Sequence, residues 1–313
     1  MKVLVTGGAG FIGSNLTEEL VRQRHEVIVV DNLEAGKEEN LAGVKDKIIF
    51  HKEAITNNIK PILKEIDTVF HLAALPRVQF SIHNPIESHE TNINGSFNLL
   101  KLCSDAGVKR FIFSSSSSVY GDQKTLPLKE TMKPNPMSPY ALHKLVIEHY
   151  CKLFHELYGL KTISLRYFNV YGPKQDSSGD YAILIPKFIS MITKDSQPTI
   201  RGDGNQTRDF SYVNDVVAAN LAAASSNNKK IFGEVFNIGT GKKHSVNQIT
   251  EKLITLLKSR VRPIHIASVI EPRNTLADIT KARDMLDWEP KTNIDEGLKK
   301  TAEYFKSLKN NYP

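Results

Sequence analysis

The sequence predicts an α/β fold: a doubly wound parallel sheet with a smaller, discontinuous C-terminal domain. Three observations lead there. Short apolar strands alternate with helical patterns through the first half of the chain. A glycine cluster stands where the first strand meets the first helix. After Tyr171-Gly172-Pro173 the texture changes to longer loops rich in Pro, Gly, Ser and Asp.

Taken in order, strand-like runs fall at Lys2–Thr6, Glu26–Val30, Ile48–His51, Thr68–Leu72, Arg110–Ser114 and Thr162–Tyr167. Helical patterns lie between them at Ile12–Arg24, Pro85–Asp105 and Ser138–Tyr158. Such alternation makes βαβ units with right-handed crossovers and a sheet covered on both faces. Beyond residue 171, short elements are expected at Gln197–Arg201, Val246–Leu257 and Pro263–Ile266. Ser211–Ser225 and Glu234–Gly239 read as a strand-helix-strand that returns to the first sheet. The expected division is therefore 1–170 plus 211–239 for the sheet domain, and 171–210 plus 240–313 for the smaller one.

The bulk properties narrow the functional classes. The chain has 313 residues, 40% hydrophobic and 24% charged, enough to bury a core without disulfides or metals. Its two cysteines, Cys103 and Cys151, sit in apolar helical stretches and are expected as reduced, buried thiols. No Cys/His cluster has metal-ligand spacing, so no metal is expected. The chain opens directly on a strand, and no apolar run approaches the roughly 20 residues of a membrane span. A cytoplasmic protein with no membrane partner is the expectation. The net charge of +7 is spread along the chain without a basic block, which argues against nucleic acid and is compatible with a small anionic substrate.

The glycine cluster is Thr6-Gly7-Gly8-Ala9-Gly10-Phe11-Ile12-Gly13. Gly7 and Gly10 permit a tight turn and close approach of backbone to a pyrophosphate, and Gly13 lets the helix pack on the sheet. The free N–H groups of the helix N-terminus, around Phe11 and Ile12, then face the phosphates. The second strand ends in Asp31, 18 residues beyond Gly13 and followed by Asn32 and Leu33. A carboxylate at that tip accepts hydrogen bonds from ribose hydroxyls and repels a 2′-phosphate, so a Rossmann domain binding NAD rather than NADP is expected.

A second constellation is Tyr140-Ala141-Leu142-His143-Lys144 in a helical stretch, with tyrosine and lysine one turn apart on one face. An ammonium near a phenol lowers the phenol's pKa, as does an oxidised nicotinamide, which suits the tyrosine to general-base work. The strand Phe111-Ile112-Phe113 runs into Ser114, Ser115 and Ser116 at its C-terminal end, where ligands bind in open α/β sheets.

With these motifs in place, the chain resembles the extended short-chain dehydrogenase/reductase family, and within it the NAD-dependent nucleotide-sugar epimerases. The resemblance spans nearly the whole chain. It rests on Thr6–Gly13, Asp31, His71-Leu72-Ala73-Ala74, Asn92-Ile93-Asn94-Gly95, Ser114–Gly121, Tyr140–Lys144, Tyr167-Phe168-Asn169, Arg208-Asp209-Phe210 and Ala277-Asp278. It implies Ser116, Tyr140 and Lys144 as the catalytic triad. It implies Leu72, Ala73, Ala74, Asn92, Ser114 and Tyr167 beside the cofactor, with Lys144 also on the nicotinamide ribose. Asn169 and Arg208 would meet the substrate diphosphate, a guanidinium being suited to that role. Thr275 would occupy the pocket that limits the sugar's C2 substituent; being small, it would admit an N-acetyl group.

Two departures from the family pattern stand out. Ala54 replaces the Asp expected to contact adenine, with Glu53 beside it. The stretch Ser268–Arg273 lacks the first Arg of the usual Arg-Pro-Gly-Asp, leaving Arg273 as the candidate second phosphate contact. Ser118 stands where dehydratases and decarboxylases of the family carry an acid, which argues against those reactions. The resemblance therefore implies 4-epimerisation of a UDP-hexose through a transient 4-keto intermediate. UDP-glucose/galactose, UDP-N-acetylglucosamine/galactosamine, or both are the expected substrates. UDP-glucuronate is an alternative, for which Arg77 is a candidate contact. A non-catalytic NAD-binding regulator and a reductase that releases its cofactor are more remote readings. The resemblance also implies a homodimer, formed through the apolar helices around Pro85–Asp105 and Ser138–Tyr158.

Overall fold

Seven short strands assemble into one parallel sheet; the central ones, such as β1 and β4, are buried on both faces, and strands of that kind cannot leave either face to water. The computed structural model describes residues 1–177, 184–268 and 272–310. The sheet strands are β1 (Lys2–Thr6), β2 (Glu26–Val30), β3 (Ile48–His51), β4 (Thr68–His71), β5 (Arg110–Ser116), β6 (Lys161–Tyr167) and, later in the chain, β9 (Val235–Ile238). Two strands between them, β7 (Thr199–Arg201) and β8 (Thr207–Arg208), and two after, β10 (His244–Ser245) and β11 (Ile264–Ile266), form separate two-stranded pairs. The sheet order is β3-β2-β1-β4-β5-β6-β9, so the winding reverses between β1 and β4. That crevice, at the C-terminal strand ends, is where open α/β sheets bind ligands.

The helices are α1 (Phe11–Arg22), α2 (Val78–His83), α3 (Pro85–His89), α4 (Ser96–Asp105), α5 (Pro139–Tyr158), α6 (Leu184–Thr193), α7 (Val213–Ser225), α8 (Val246–Leu257), α9 (Thr280–Leu286) and α10 (Ile294–Asn310). Strand residues alternate between two cores. Val3, Val5, Val27 and Val29 pack with α1 and α7, while Leu4, Ile28, Val30, Phe111 and Phe113 pack with α4 and α5. The first of these cores runs on without a break into Ile185, Ile189, Ile249, Leu253 and Leu298 of the later helices.

The expected strand bounds agree with the structure to within two residues, with two differences elsewhere. The single helix expected over Pro85–Asp105 is interrupted: a π turn at Glu90–Gly95 separates α3 from α4. The wider turn faces Asn92 inward, where its amide bonds both Leu75 N and Leu75 O. The strand expected at the start of Ser211–Ser225 is only an isolated bridge between Tyr171 and Tyr212. Cys103 and Cys151 are buried, unpaired thiols. Among the described residues no helix is long and apolar enough to cross a membrane, and no group of three acidic, His or Cys residues gathers as a metal set.

Candidate active site

A single cleft of about 1380 Å³ runs along the C-terminal edge of the sheet. Its first end is the glycine loop. Gly7 has φ 71°, and a Cβ there would lie 2.6 Å from Ala73 N, so only glycine fits. A Cβ on Gly13 would lie 2.1 Å from Gly7 O, which explains the close seat of α1 on this turn. The N-cap of α1 is Gly10, which offers no side-chain oxygen to the first N–H groups of the helix, and Gly10, Phe11, Ile12 and Gly13 all line the cleft. Free N–H groups at a helix terminus are the donor set an anionic diphosphate requires.

Asp31 and Asn32 line the same end. The Asp31 carboxylate accepts from Ala9 N at 2.9 Å and Leu33 N at 2.8 Å, so it also ties the glycine loop to the strand tip. Burial raises its pKa, with these backbone hydrogen bonds opposing the rise. Two carboxylate oxygens have lone pairs beyond these bonds for ribose hydroxyls. The glycine loop, the uncapped helix and this acid together fit a dinucleotide. Ala54 and Glu53 line the cleft nearby; the Glu53 carboxylate accepts from Asn57 Nδ2 at 2.5 Å and from Ala54 N at 3.2 Å.

The middle of the cleft gathers Leu72, Ala73, Ala74, Ser114, Ser116, Tyr140, Lys144 and Tyr167. Ser138 caps α5 through Ala141 N, which starts the helix where Tyr140 faces the strand end. The Ser116 hydroxyl stands beside the Tyr140 phenol, where it favours the ionised form, and it accepts from Ser118 N at 3.2 Å. Lys144 Nζ donates to Ser114 O at 2.7 Å and lies 5.8 Å from the Tyr140 ring centre. Here burial enters beside the spacing. Burial pushes the Tyr140 phenol up to about 12, with Ser116 opposing the rise, and pushes Lys144 down to about 7. The chain's own groups therefore leave the phenol protonated at neutral pH, because the same burial that raises it weakens the lysine's charge. Beneath the floor His71 is fully buried, bonded to Thr6 Oγ1 and Ser96 Oγ, and pushed down to about 3.

At the far end stand Asn169, Arg208 and Thr275. Asn169 holds a left-handed backbone, φ 25°, a strain that clusters at ligand sites. Arg208 Nη1 donates to Thr207 O and Arg273 O, which orients the guanidinium. Thr275 is buried with no partner for its hydroxyl. Two expected residues are not in the lining. Asn92 lies behind the wall, holding Leu75 in place. The Arg273 side chain is 63% exposed and paired with Asp203 at 2.8 Å, outside the cleft lining. Its neighbours Val269, Ile270 and Glu271 lie outside the described residues.

Two lining residues carried no signal in the sequence. Gln175 is buried; its Nε2 donates to Val170 O, while its Oε1 has no partner. Asp176 meets Arg77 at 3.0 Å and Lys37 at 3.6 Å, drawing together loops that follow β2, β4 and β6.

With this geometry in view, residues 3–239 match the model of the NAD dependent epimerase/dehydratase family. The chain belongs to that family. NAD is accordingly its cofactor, and it is an enzyme of the epimerase type. Among solved structures it is similar to a UDP-glucose 4-epimerase with UDP-glucose from Thermotoga maritima, at 41% identity and TM-score 0.92, covering 98% of this chain and 99% of the other. It is also similar to a UDP-N-acetylglucosamine 4-epimerase from Methanobrevibacter ruminantium in complex with UDP-N-acetylmuramic acid, at 40% identity and TM-score 0.94, covering 98% of each. A UDP-glucuronate 4-epimerase of Thermodesulfobacterium geofontis is 38% identical over 97% of this chain and 95% of its own. Relatives of similar closeness thus differ in the sugar they are named for.

Proposed function

We propose that this enzyme interconverts the C4 epimers of a UDP-hexose, UDP-glucose/galactose, UDP-N-acetylglucosamine/galactosamine, or both. The observation that carries the reading is that Ser116, Tyr140 and Lys144 stand midway along one cleft, with a dinucleotide cradle at one end and Asn169, Arg208 and Thr275 at the other. Gly7, Gly10, Gly13 and the first N–H groups of α1 would hold the cofactor pyrophosphate, Asp31 the adenosine ribose, and Lys144 the second ribose. NAD, when bound, supplies a reversible hydride acceptor and, in its oxidised form, a positive charge that favours ionisation of the phenol.

The chain's own residues handle the proton. Tyr140 takes it from the sugar 4-hydroxyl, and Ser116, beside the same phenol in the cleft, steadies the oxygen as it becomes a ketone. Arg208 grips the diphosphate, leaving the sugar free to turn and present its other face. Tyr140 then returns the proton, and the hydride that bound NAD would have accepted would return to C4 on the other face, so no net redox change occurs.

The buried, unpartnered hydroxyl of Thr275 favours a substrate that brings a polar group to the C2 position, a hydroxyl or an N-acetyl. UDP-glucuronate is the second reading. Arg77 lines the cleft, but its guanidinium already meets the Asp176 carboxylate, which competes with a uronate.

Incubation with UDP-N-acetylglucosamine and, separately, UDP-glucose, followed through the anomeric protons by NMR without added reductant, tests the proposal. The galacto epimer is expected, and Tyr140→Phe should lower its rate about 10²–10⁴-fold. If neither sugar changes while NAD is bound, the reading fails for both substrates; turnover of UDP-glucuronate would then support the second reading.

We further propose the two-part division given above, and a homodimer. Leu142, Leu153 and Leu157 follow a helical spacing on α5 and are exposed, as are Ile86 and Phe97 on the neighbouring α3 and α4. Light scattering should give twice the chain mass, and Leu153→Glu should halve it; a monomeric wild type would refute the dimer.

A further inference from the structure

Three consecutive serines of β5 each meet a different turn of α5. Ser116 stands beside the Tyr140 phenol, the Ser114 carbonyl accepts from Lys144, and the Ser115 hydroxyl donates to the carboxylate of Glu148. Tyr140, Lys144 and Glu148 are spaced four residues apart, on adjacent turns of one helical face. Glu148 is buried and, on its other side, receives Arg166 Nε at 2.8 Å and Nη2 at 2.6 Å. Ser115 and Arg166 are direct neighbours across β5 and β6, so the sheet presents both to Glu148 as one surface. Arg166 is fixed in turn by the Tyr120 ring, 4.7 Å away, and Tyr120 by Asn237 at 2.7 Å.

We infer that Glu148 is a positioning residue for the epimerisation proposed above: anchored by Ser115 and Arg166, its carboxylate holds Lys144 in its charged form beside Tyr140. The inference rests on the catalytic roles proposed for Tyr140 and Lys144. A buried ion pair is weak evidence of stabilisation, since desolvating both ions offsets their attraction. Its location one turn beyond Lys144 gives it another use.

The groups around Lys144 leave Glu148 as the opposing charge. From β4, His71 is pushed down to about 3; on α5 itself, His143 is pushed down to about 4 and packs edge-on to His89 of α3, so His71 and His143 are neutral at working pH. The Cys151 thiol is raised by burial and stays protonated. From β5 comes the Ser114 carbonyl and the Phe113 ring, 4.8 Å from Nζ. Of the other elements packed on α5, β6 brings the cation Arg166, which is spent on the Glu148 carboxylate, while α2 and α4 contribute neutral contacts, Ser81 to Tyr140 N and Phe97 to Tyr150. Burial favours the neutral amine; Glu148 works against it.

The sign follows. Without the carboxylate, Lys144 loses its proton at lower pH. The phenol then loses its cationic neighbour sooner, and ionises at higher pH. The test uses the NAD-loaded enzyme with Glu148→Gln, and with Glu148→Gln/Arg166→Gln, which avoids stranding a buried guanidinium should the single variant fail to fold. Two readouts are taken. The first is the near-ultraviolet phenolate titration of Tyr140, obtained as the difference from Tyr140→Phe in each background. The second is the pH profile of kcat and kcat/KM. The expected result is a phenolate midpoint raised, and an alkaline activity limb lowered, by about one pH unit, with kcat reduced and KM unchanged, and with Glu148→Asp restoring part of each shift. A folded paired variant with the wild-type phenolate midpoint and an unmoved alkaline limb would overturn the inference, even if its rate fell. Should the wild type turn over no UDP-sugar, the proposed function fails, while the phenolate titration still decides the role of Glu148.

Discussion

Gly13→Ala puts the cofactor cradle to a quantitative test. The added Cβ would stand 2.1 Å from Gly7 O, and 2.9 Å from both Gly7 C and Gly8 Cα. All three are backbone atoms, so no rotamer change relieves the clash. Opening the shortest contact to even a tight 3.0 Å requires the start of α1 to move by about 0.9 Å. Overpacking of this kind costs about 1–3 kcal/mol of stability. The displacement also moves the N–H groups of Phe11 and Ile12 from the phosphates they would serve. A hydrogen bond to a charged group contributes about 1.5–3 kcal/mol, so losing one weakens NAD binding about 10- to 100-fold. Titration calorimetry with NAD and thermal unfolding of the same preparation measure both effects. Gly107→Ala is the comparator: its Cβ meets nothing within 4 Å, but its φ of 72° is strained for alanine. That variant should lose about 1 kcal/mol of stability and no NAD affinity. If Gly13→Ala binds NAD like the wild type, the seat of α1 on the glycine turn is not what builds the phosphate site.

Other substitutions address the far end and the rim of the cleft. Thr275→Tyr should abolish turnover of the N-acetylated sugars and spare UDP-glucose, while Thr275→Val, which keeps the shape, should raise KM about 5- to 10-fold through the lost hydroxyl bond; unchanged kinetics in both variants would remove Thr275 from the sugar pocket. Asp176→Asn should speed NAD release several-fold, because the ion pairs to Arg77 and Lys37 span loops on either side of the cleft, and stopped-flow displacement should show wild-type release accelerating with salt while the variant's does not. Equal release rates at low salt would count against a clasp.

The parts of the molecule legible in its sequence are those fixed by local pattern. Strands such as Lys2–Thr6 and Glu26–Val30 stand where their apolar runs predict, since both faces are buried and the run length sets the strand. The glycine turn, Asp31 and the Tyr140–Lys144 spacing were legible for the same reason: each is a short motif whose geometry follows from adjacent residues. What escaped depends on contacts distant in sequence. The direction of the Arg273 side chain is set by Asp203, 70 residues away. The elevated phenol of Tyr140 comes from burial, which a Y-x-x-x-K spacing does not report. The π turn at Glu90–Gly95 breaks what reads as one helical repeat, because the inward reach of Asn92 to Leu75 outweighs regular winding. Gln175 has no sequence signature at all; only its burial with an unpartnered oxygen marks it.

The segment just after β6 has a consequence for how this molecule can be recombined. Pro173 O accepts from Asn15 of α1, and Lys174 bonds both Asn40 O and the Glu18 carboxylate. Helix α1 and the segment around Asn40 are thus tied to residues just past β6, over a core that both halves share. A chimera joined at Gly172, taking everything beyond it from a relative to change the sugar, would exchange one side of every one of these ties. A graft that retains residues 173–176 from this chain, and crosses over only afterwards, keeps donor and acceptor in the same parent. The unit to keep intact is therefore strands β1 to β6 together with the segment that ties them, and the seam for engineering lies several residues past the point where the sequence changes texture.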